Sequence, residues 1–171
     1  DECGGSLYYQ ILEELSQSKR NALIGKNVPQ PDFKEISNQI AGVTGAIGEG
    51  LVSACHDISE GGLIMAIFEM LTPQRKIGGN IGATIDLDIL HSPLRADQLL
   101  FSETGGFLLE ITKEKEAAFT EYMQQKGIEA NRIGTATPKP DVIISSQGNT
   151  LLKEPLEALL GIWKDALTKQ W

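Results

Sequence analysis

Basic residues are too few in this chain for a protein that binds nucleic acid through its phosphates. Lys and Arg number 15 against 23 Asp and Glu, and the net charge is -8 over 171 residues. Binding to a phosphate backbone requires clustered Lys and Arg. A general nucleic-acid binder is therefore excluded, and an anionic small ligand would need a local site.

Cysteine and long apolar runs are also scarce. Cys3 and Cys55 cannot build a disulfide framework, and without a CxxC pair they form no zinc site alone. This cysteine usage predicts a reducing, cytoplasmic location. The sequence contains no apolar run of membrane-spanning length and no signal peptide, so we expect no membrane partner. Because it begins without Met, we expect a processed product or a piece of a longer protein.

The composition that is present supports a folded core. A length of 171 residues with 41% hydrophobic content suits one compact domain, or a domain with a small appendage. Hydrophobic periodicity and breaker residues predict helices over 7–15, 33–48, 61–71, 113–127 and 155–171. Strands are predicted over 51–55, 81–89, 106–112 and 131–137, with a hairpin over 141–152. Because these elements interleave without strict β-α-β alternation, the predicted class is α+β, a mixed β-sheet covered by helices.

We further expect a single sheet. It would contain strands 51–55, 81–89 and 106–112 beside one of the later strands. Each of two helices carries a continuous apolar stripe that would lie against this sheet. The stripes are Phe33, Ile36, Ile40 and Val43 in one helix, and Leu156, Leu160, Trp163 and Leu167 in the other.

The segment "HDISEGG", residues 56–62, is the first candidate ligand loop. A strand that runs into this loop and then into a helix would place backbone N–H groups where an anion can bind. The chain has neither GxxxxGK[ST] nor GxGxxG, however. The alternative is that Asp57 caps the helix with Glu60 at the third helical position, while Gly61 and Gly62 allow close packing of the helix on the sheet.

Two polar residues of this loop have further alternatives. His56, beside a carboxylate, is a candidate general base or metal ligand, or a hydrogen-bonded structural residue. Ser59 has no evident base and acid partners, so it is a poor candidate for a nucleophile.

The second candidate is "FSETGG", residues 101–106. Glu103 could face a ligand that Gly105 and Gly106 admit closely, or the segment could be a bulge or a tight hairpin. His91 lies in a separate loop and is expected to face solvent.

Several segments together carry a family resemblance. "GGSLYY", "VPQPDF", "GLVSACHDISEGGLIMAIFEM", "LLFSETGGFLLEI" and "IGTAT" occur in this order, and a Trp-containing helix ends the chain. The chain resembles the final domain of phosphoribosylformylglycinamidine synthases, of the type found in aminoimidazole ribonucleotide synthetase. One departure is Glu60, where the family usually has Asp.

The resemblance implies that residues 1–171 are a single C-terminal domain of a longer multidomain synthetase. That enzyme would be an ATP-dependent ligase of purine biosynthesis. It would convert formylglycinamide ribonucleotide to the amidine with ammonia from a glutaminase subunit or domain. ATP and magnesium would serve the full-length enzyme, and the isolated fragment would be inactive and hold neither tightly.

The resemblance also implies ligand-facing positions but no catalytic residue in this chain. The candidates are His56, Asp57, Ser59, Gly61, Gly62, Ser102, Glu103, Thr104 and Gly105, with Asp57 also a candidate metal ligand. Among them, Asp57, Ser102, Glu103 and Thr104 would face a second, pseudo-symmetric nucleotide site formed with upstream domains. Alternatives are another member of the superfamily, namely aminoimidazole ribonucleotide synthetase, selenophosphate synthetase or thiamine-monophosphate kinase, or a non-catalytic binding module of the same fold.

Overall fold

The computed structural model describes residues 2–15, 23–72 and 81–168. The helices are α1 (Leu7–Leu15), α2 (Phe33–Gly48), α3 (Gly62–Leu71), α4 (Ala96–Phe101), α5 (Glu116–Gln125) and α6 (Leu156–Thr168). The strands are β1 (Ala54–Asp57), β2 (Gly82–Asp86), β3 (Phe107–Glu110), β4 (Gly134–Thr137), β5 (Asp141–Ser146) and β6 (Asn149–Pro155). Short 3-10 helices cover Cys3–Gly5 and Leu87–Leu90.

The chain forms two compact units. The first contains Asp1–Ile67 and Asp97–Ala130, and the second contains Phe68–Ala96 and Asn131–Trp171. Residues of α3 belong to both units, since Ile67 ends one range and Phe68 begins the other.

The first unit is built around α2, α5 and a two-stranded sheet. Strands β1 and β3 pair antiparallel, with Ala54 opposite Glu110 and Asp57 opposite Phe107. The core cluster comprises the buried side chains of Val43, Ala46, Phe119 and Met123, against which Phe107 and Leu109 of β3 pack. Apolar side chains of β3 are thus covered by α2 and α5, which stabilises a sheet of only two strands.

Helix ends in this unit follow local chemistry. The Asp32 carboxylate accepts from the backbone N–H groups of Lys34 (2.8 Å) and Glu35 (3.1 Å), so it caps α2. Helix α5 is closed by Gly127, which lies two residues after the last helical residue, Gln125, and has a positive φ of 66°. There the Gly127 N–H donates to the Gln124 carbonyl and the Ile128 N–H to that of Met123, the two bonds of a Schellman motif.

The second unit contains a four-stranded mixed sheet in the order β4-β2-β5-β6. Strand β2 is parallel to β5 and antiparallel to β4, while β5 and β6 form the predicted hairpin. Its two-residue turn is Gln147-Gly148, with φ values of 52° and 71°. These left-handed conformations are typical of a tight turn whose twist matches that of the flanking strands.

The α+β class with mixed pairing is confirmed, but the prediction of one sheet is wrong. Strands 54–57 and 107–110 form their own sheet, apart from the sheet that contains 82–86. Periodicity predicts that a segment is extended, but it does not identify the strand with which the segment pairs. Here β3 packs against helices of its own unit, so its apolar face is covered without a larger sheet.

The predicted apolar stripes are only partly buried. Val43, Leu156 and Leu160 are buried, whereas Phe33 is 77% exposed and Trp163 is 43% exposed. Ile40 is also exposed, because the buried face of α2 is centred on Val43 and Ala46, about 60° or more around the helix from Ile40. The side chain of Leu167 lies outside the described residues.

Within residues 2–15, 23–72 and 81–168, none of the helices combines the length and the apolarity that a membrane crossing requires.

Candidate functional site

The two candidate loops lie side by side. Strand β1 ends at Asp57, and the next residue, Ile58, donates its N–H to the Gly106 carbonyl at 2.9 Å. Gly105 and Gly106 have φ values of 102° and 121°, a region that favours glycine. The pairing of β1 with β3 therefore continues into the loops and holds "HDISEGG" beside "SETGG".

The Glu103 carboxylate provides a second hydrogen-bonded link between the two loops. Glu103 Oε1 accepts from the Gly61 N–H at 2.9 Å and from the Leu7 N–H at 3.1 Å. Leu7 is the first residue of α1, and Gly61 immediately precedes α3. Glu103 was predicted to face a ligand, and no local sequence pattern points to these two backbone donors.

The paired glycines allow the close packing that was predicted, although against a different element. Gly61 and Gly62 have φ values of 80° and 72°. A Cβ atom added to Gly62 would lie 2.6 Å from the Leu100 carbonyl oxygen and 2.8 Å from Phe101 backbone atoms. The beginning of α3 thus touches the end of α4, a contact that no side chain at Gly62 would permit.

The predicted Asp57 cap is wrong. Asp57 is the last residue of β1, and α3 begins five residues later at Gly62, whereas a cap at Asp57 requires a helix that begins at Ile58. The Asp57 side chain is 66% exposed. Glu60, the proposed partner of that cap, is exposed as well. The role near α3 that was assigned to Asp57 belongs to Glu103, which accepts the Gly61 N–H.

The contacts of His56 fit the alternative that it is a hydrogen-bonded structural residue. Its Nδ1 lies 2.7 Å from the Asp57 carbonyl oxygen and 3.7 Å from Asp57 Oδ1. Since a carbonyl oxygen can only accept, Nδ1 carries the proton in this hydrogen bond.

The loop pair also carries hydroxyl groups. Ser102 Oγ and Thr104 Oγ1 are 2.6 Å apart and hydrogen-bonded to each other. Thr104, Gly105 and Ser59 are exposed, and Ser102 is half-buried. His91 is exposed in its separate loop, as predicted.

The first residues of the chain form a third component that the sequence analysis missed. Tyr8 stacks on Phe101, with ring centroids 4.5 Å apart, and its hydroxyl donates to Asp97 at 2.8 Å. Ser6 Oγ accepts from the Tyr9 N–H at 3.3 Å and so caps the start of α1. These contacts fix α1 against α4, immediately before the "SETGG" loop.

The loop pair is acidic. Residues 54–62 and 99–107 contain Asp57, Glu60 and Glu103 but neither Lys nor Arg. Burial raises the pKa of the nearby Cys55 thiol, and the Asp57 carboxylate raises it further. A phosphate group bound here would therefore need a metal cation, or basic residues from another part of the protein, to offset repulsion.

No group of three or more His, Cys, Asp or Glu side chains able to hold a metal is found in the described part of the chain. Mg²⁺ is commonly held by one or two carboxylates together with substrate phosphates and water. The exposed Asp57 carboxylate fits one position of such a set, and Asp57 as a metal ligand stays a prediction.

Comparison with known proteins gives a consistent family. The family model "AIR synthase related protein, C-terminal domain" matches residues 1–146. The probable phosphoribosylformylglycinamidine synthase of Arabidopsis thaliana, chloroplastic/mitochondrial, is 36% identical over 95% of this chain and 10% of the relative. The PurL subunit of the same synthase from Methanothrix thermoacetophila is 29% identical over 98% of this chain and 20% of the relative. The chain thus spans about a tenth to a fifth of the length of these relatives.

Solved structures agree on the fold. Thermotoga maritima PurL complexed with FGAR superposes with a TM-score of 0.66 at 22% identity, covering 86% of this chain and 24% of that one. The same protein complexed with ATP gives a TM-score of 0.59 at 20% identity over 71% of this chain and 21% of that one. A structure of PurLQS from that organism gives 0.64 at 21% identity over 78% and 23%, respectively. With the family model matching most of its length, this chain belongs to the family of AIR synthase related proteins, as their C-terminal domain.

Proposed function

We propose that this chain is the C-terminal domain of a phosphoribosylformylglycinamidine synthase, an ATP-dependent ligase of purine biosynthesis. The observation that carries the proposal is similarity over 95–98% of the chain to proteins that bear this name. The paired glycine loops support it, because they form one acidic edge with exposed carboxylate and hydroxyl groups. Residues 1–171 would be one domain of the enzyme, and it would be cytoplasmic.

In the proposed reaction, the amide oxygen of formylglycinamide ribonucleotide attacks the γ-phosphorus of ATP and ADP leaves. Ammonia, released from glutamine by a glutaminase partner, then adds to the activated carbon, and phosphate departs with the former amide oxygen. The products are the amidine, ADP and phosphate. Complexes of the Thermotoga relative with FGAR and with ATP support these substrates, and the PurLQS structure supports an assembly with further components.

Within this scheme the chain supplies part of a nucleotide cleft and no catalytic group. The proposed ligand-facing positions are His56, Asp57, Ser59, Gly61, Gly62, Ser102, Thr104 and Gly105. Magnesium would offset the phosphate charges, and the exposed Asp57 carboxylate would be one of its ligands. Hydroxyl groups of Ser59 and Thr104 would donate to or accept from the nucleotide.

The test compares two proteins: the full-length synthase that would contain residues 1–171, called the parent polypeptide below, and the isolated chain. ATP turnover by the parent, followed as ADP release with ammonium chloride as nitrogen donor, should require formylglycinamide ribonucleotide. The isolated chain should release no ADP under the same conditions. ADP release by the parent that does not depend on this amide substrate would overturn the proposed reaction.

A matched pair of variants tests the site. Asp57→Asn in the parent should raise the KM for magnesium-ATP by about tenfold, since a charge-assisted contact is lost. Asp141→Asn, in the second unit, serves as a carboxylate control and should leave the KM unchanged. Equal KM values for the Asp57 variant and the wild type would remove Asp57 from the proposed cleft.

A further inference from the structure

Glu103 was predicted as a ligand-facing residue, but its contacts point to another role. Its Oε1 accepts the N–H of Leu7 and the N–H of Gly61, residues that lie 54 positions apart. A single carboxylate oxygen has two lone pairs, and these two bonds use both. We propose that Glu103 is a positioning residue, which fixes the "HDISEGG" loop to the start of α1, so that the loop has one conformation when a nucleotide binds. This proposal rests on the proposed function.

The electrostatics of the two helices favour this arrangement. Helix α1 has nine residues and α3 has ten, and Glu103 lies at the N-terminal end of both. The N-terminus of a helix carries partial positive charge and unpaired N–H groups, so a carboxylate there is stabilised by both. Since Glu103 is half-buried, solvent screens this interaction less than at a fully exposed position.

The consequence for the loop follows from where it is attached. Ile58 is bonded to the Gly106 carbonyl at one end, and Gly62 packs on the backbone of α4 at the other. Between them, the hydrogen bond from the Gly61 N–H to Glu103 holds the turn that contains the exposed residues Ser59 and Glu60, in which the Gly62 N–H donates to the Ser59 carbonyl at 3.0 Å. Losing Glu103 should therefore release Ser59–Gly61, while Asp57 stays in register opposite Phe107.

A glutamine substitution at Glu103 distinguishes a positioning role from direct contact between the carboxylate and the ligand. In Glu103→Gln the amide oxygen can still accept both N–H groups, but the negative charge is gone. In Glu103→Ala both acceptors are lost. If Glu103 positions the loop, Gln should restore function and Ala should not; if its charge contacts magnesium or the nucleotide, Gln should fail as Ala does.

Asp32 provides a matched control. Its Oδ1 also accepts two backbone N–H groups, those of Lys34 and Glu35, at the start of a helix in the same unit. Both bonds lie within one segment, so Asp32→Ala removes the same number of hydrogen bonds without detaching the loop. A general loss of stability would appear in both alanine variants.

The first measurement is hydrogen exchange by mass spectrometry on the parent polypeptide. In Glu103→Ala, peptides containing Leu7 and Gly61 should exchange about tenfold faster than in the wild type. Glu103→Gln should stay close to wild type, and Asp32→Ala should change only the peptide around residues 34–35. Unchanged exchange at both Leu7 and Gly61 in Glu103→Ala would overturn the proposal.

The second measurement is steady-state kinetics with magnesium-ATP. Glu103→Ala should raise the KM about tenfold with kcat within about twofold, because the binding surface is disordered while the reacting groups lie elsewhere. Glu103→Gln should restore the KM, and Asp32→Ala should leave it unchanged. A Gln variant as impaired as Ala would show that the charge itself is used. A parent without turnover dependent on formylglycinamide ribonucleotide would instead refute the proposed function, and the exchange measurement would still decide the role of Glu103.

Discussion

Asp32 and Asp57 each begin an Asp-x-x-Glu pattern on the N-terminal side of a helix, yet only Asp32 caps a helix. Residues 32–35 read "DFKE" and residues 57–60 read "DISE", and both fit a capping pattern. Asp32 caps α2, whereas Asp57 ends a strand. The segment after Asp57 contains Gly61 and Gly62 at positive φ, which prevents a helix from starting earlier. The hydrogen-bond acceptor for the Gly61 N–H is instead Glu103, which lies 42 positions from Gly61 in the sequence. No local pattern could predict this contact.

This difference can be measured as stability. Asp32→Ala should lower the free energy of unfolding by about 1 kcal/mol, because two N–H groups lose their acceptor. Asp57→Ala should change it by less than about 0.5 kcal/mol, because its side chain caps nothing and is exposed. Urea unfolding of both variants tests this. A larger loss for the Asp57 variant than for the Asp32 variant would restore the capping role of Asp57.

The two cysteines should differ in reactivity. Cys3 is fully buried, whereas Cys55 is exposed as a residue and its thiol is only partly desolvated; in both cases desolvation raises the pKa of the thiol. We expect iodoacetamide to modify only Cys55 in the native protein and both thiols after unfolding. Because the Asp57 carboxylate also raises the pKa of Cys55, Asp57→Asn should lower that pKa, increase the thiolate fraction at pH 8 and speed alkylation. Mass spectrometry of timed samples measures both effects, and modification of native Cys3 would contradict the first.

At the scale of elements, local sequence signals predicted where helices and strands lie along the chain, but they did not predict which strands pair. Predicted helices over 7–15, 33–48 and 61–71 correspond to α1, α2 and α3, since apolar periodicity and breaker residues act within one turn. The hairpin around Gly148 was found for the same reason. The parallel pairing of β2 with β5 and the isolation of β1 with β3 depend on distant residues, so they were missed. Helix α4 also escaped prediction, because its six residues are too few to show a period.

Two glycines of the second unit should respond in opposite ways to alanine. Gly148 has a φ of 71° in the hairpin turn, where an L side chain costs about 1–2 kcal/mol. Gly161 lies inside α6 with no atom within 4 Å of an added Cβ, so alanine should stabilise by about 0.5–1 kcal/mol. Thermal unfolding followed by far-UV circular dichroism should show Gly148→Ala melting below the wild type and Gly161→Ala above it. The same direction for both would contradict these conformations.

For the whole molecule, the open question is whether residues 1–171 unfold as one domain. All three tyrosines, Tyr8, Tyr9 and Tyr122, fall in the range of the first unit, and both tryptophans, Trp163 and Trp171, fall in that of the second. Tyrosine absorbance and tryptophan fluorescence therefore report separately on the two units. The boundary between the two units falls inside α3, between the buried residues Ile67 and Phe68, so each unit includes part of the same helix.

We accordingly expect the two signals to change together in urea, as a two-state transition requires. Met123→Ala, in the core of the first unit, should lower the free energy of unfolding by about 2–5 kcal/mol because it leaves a cavity. Its effect should appear as an equal shift of the midpoint in both signals, although every tryptophan belongs to the other unit. Ile162→Ala, at an exposed position of α6, is the control and should shift neither. A shift of the tyrosine signal alone would mean that the units unfold independently, and the expectation of a single domain would then fail.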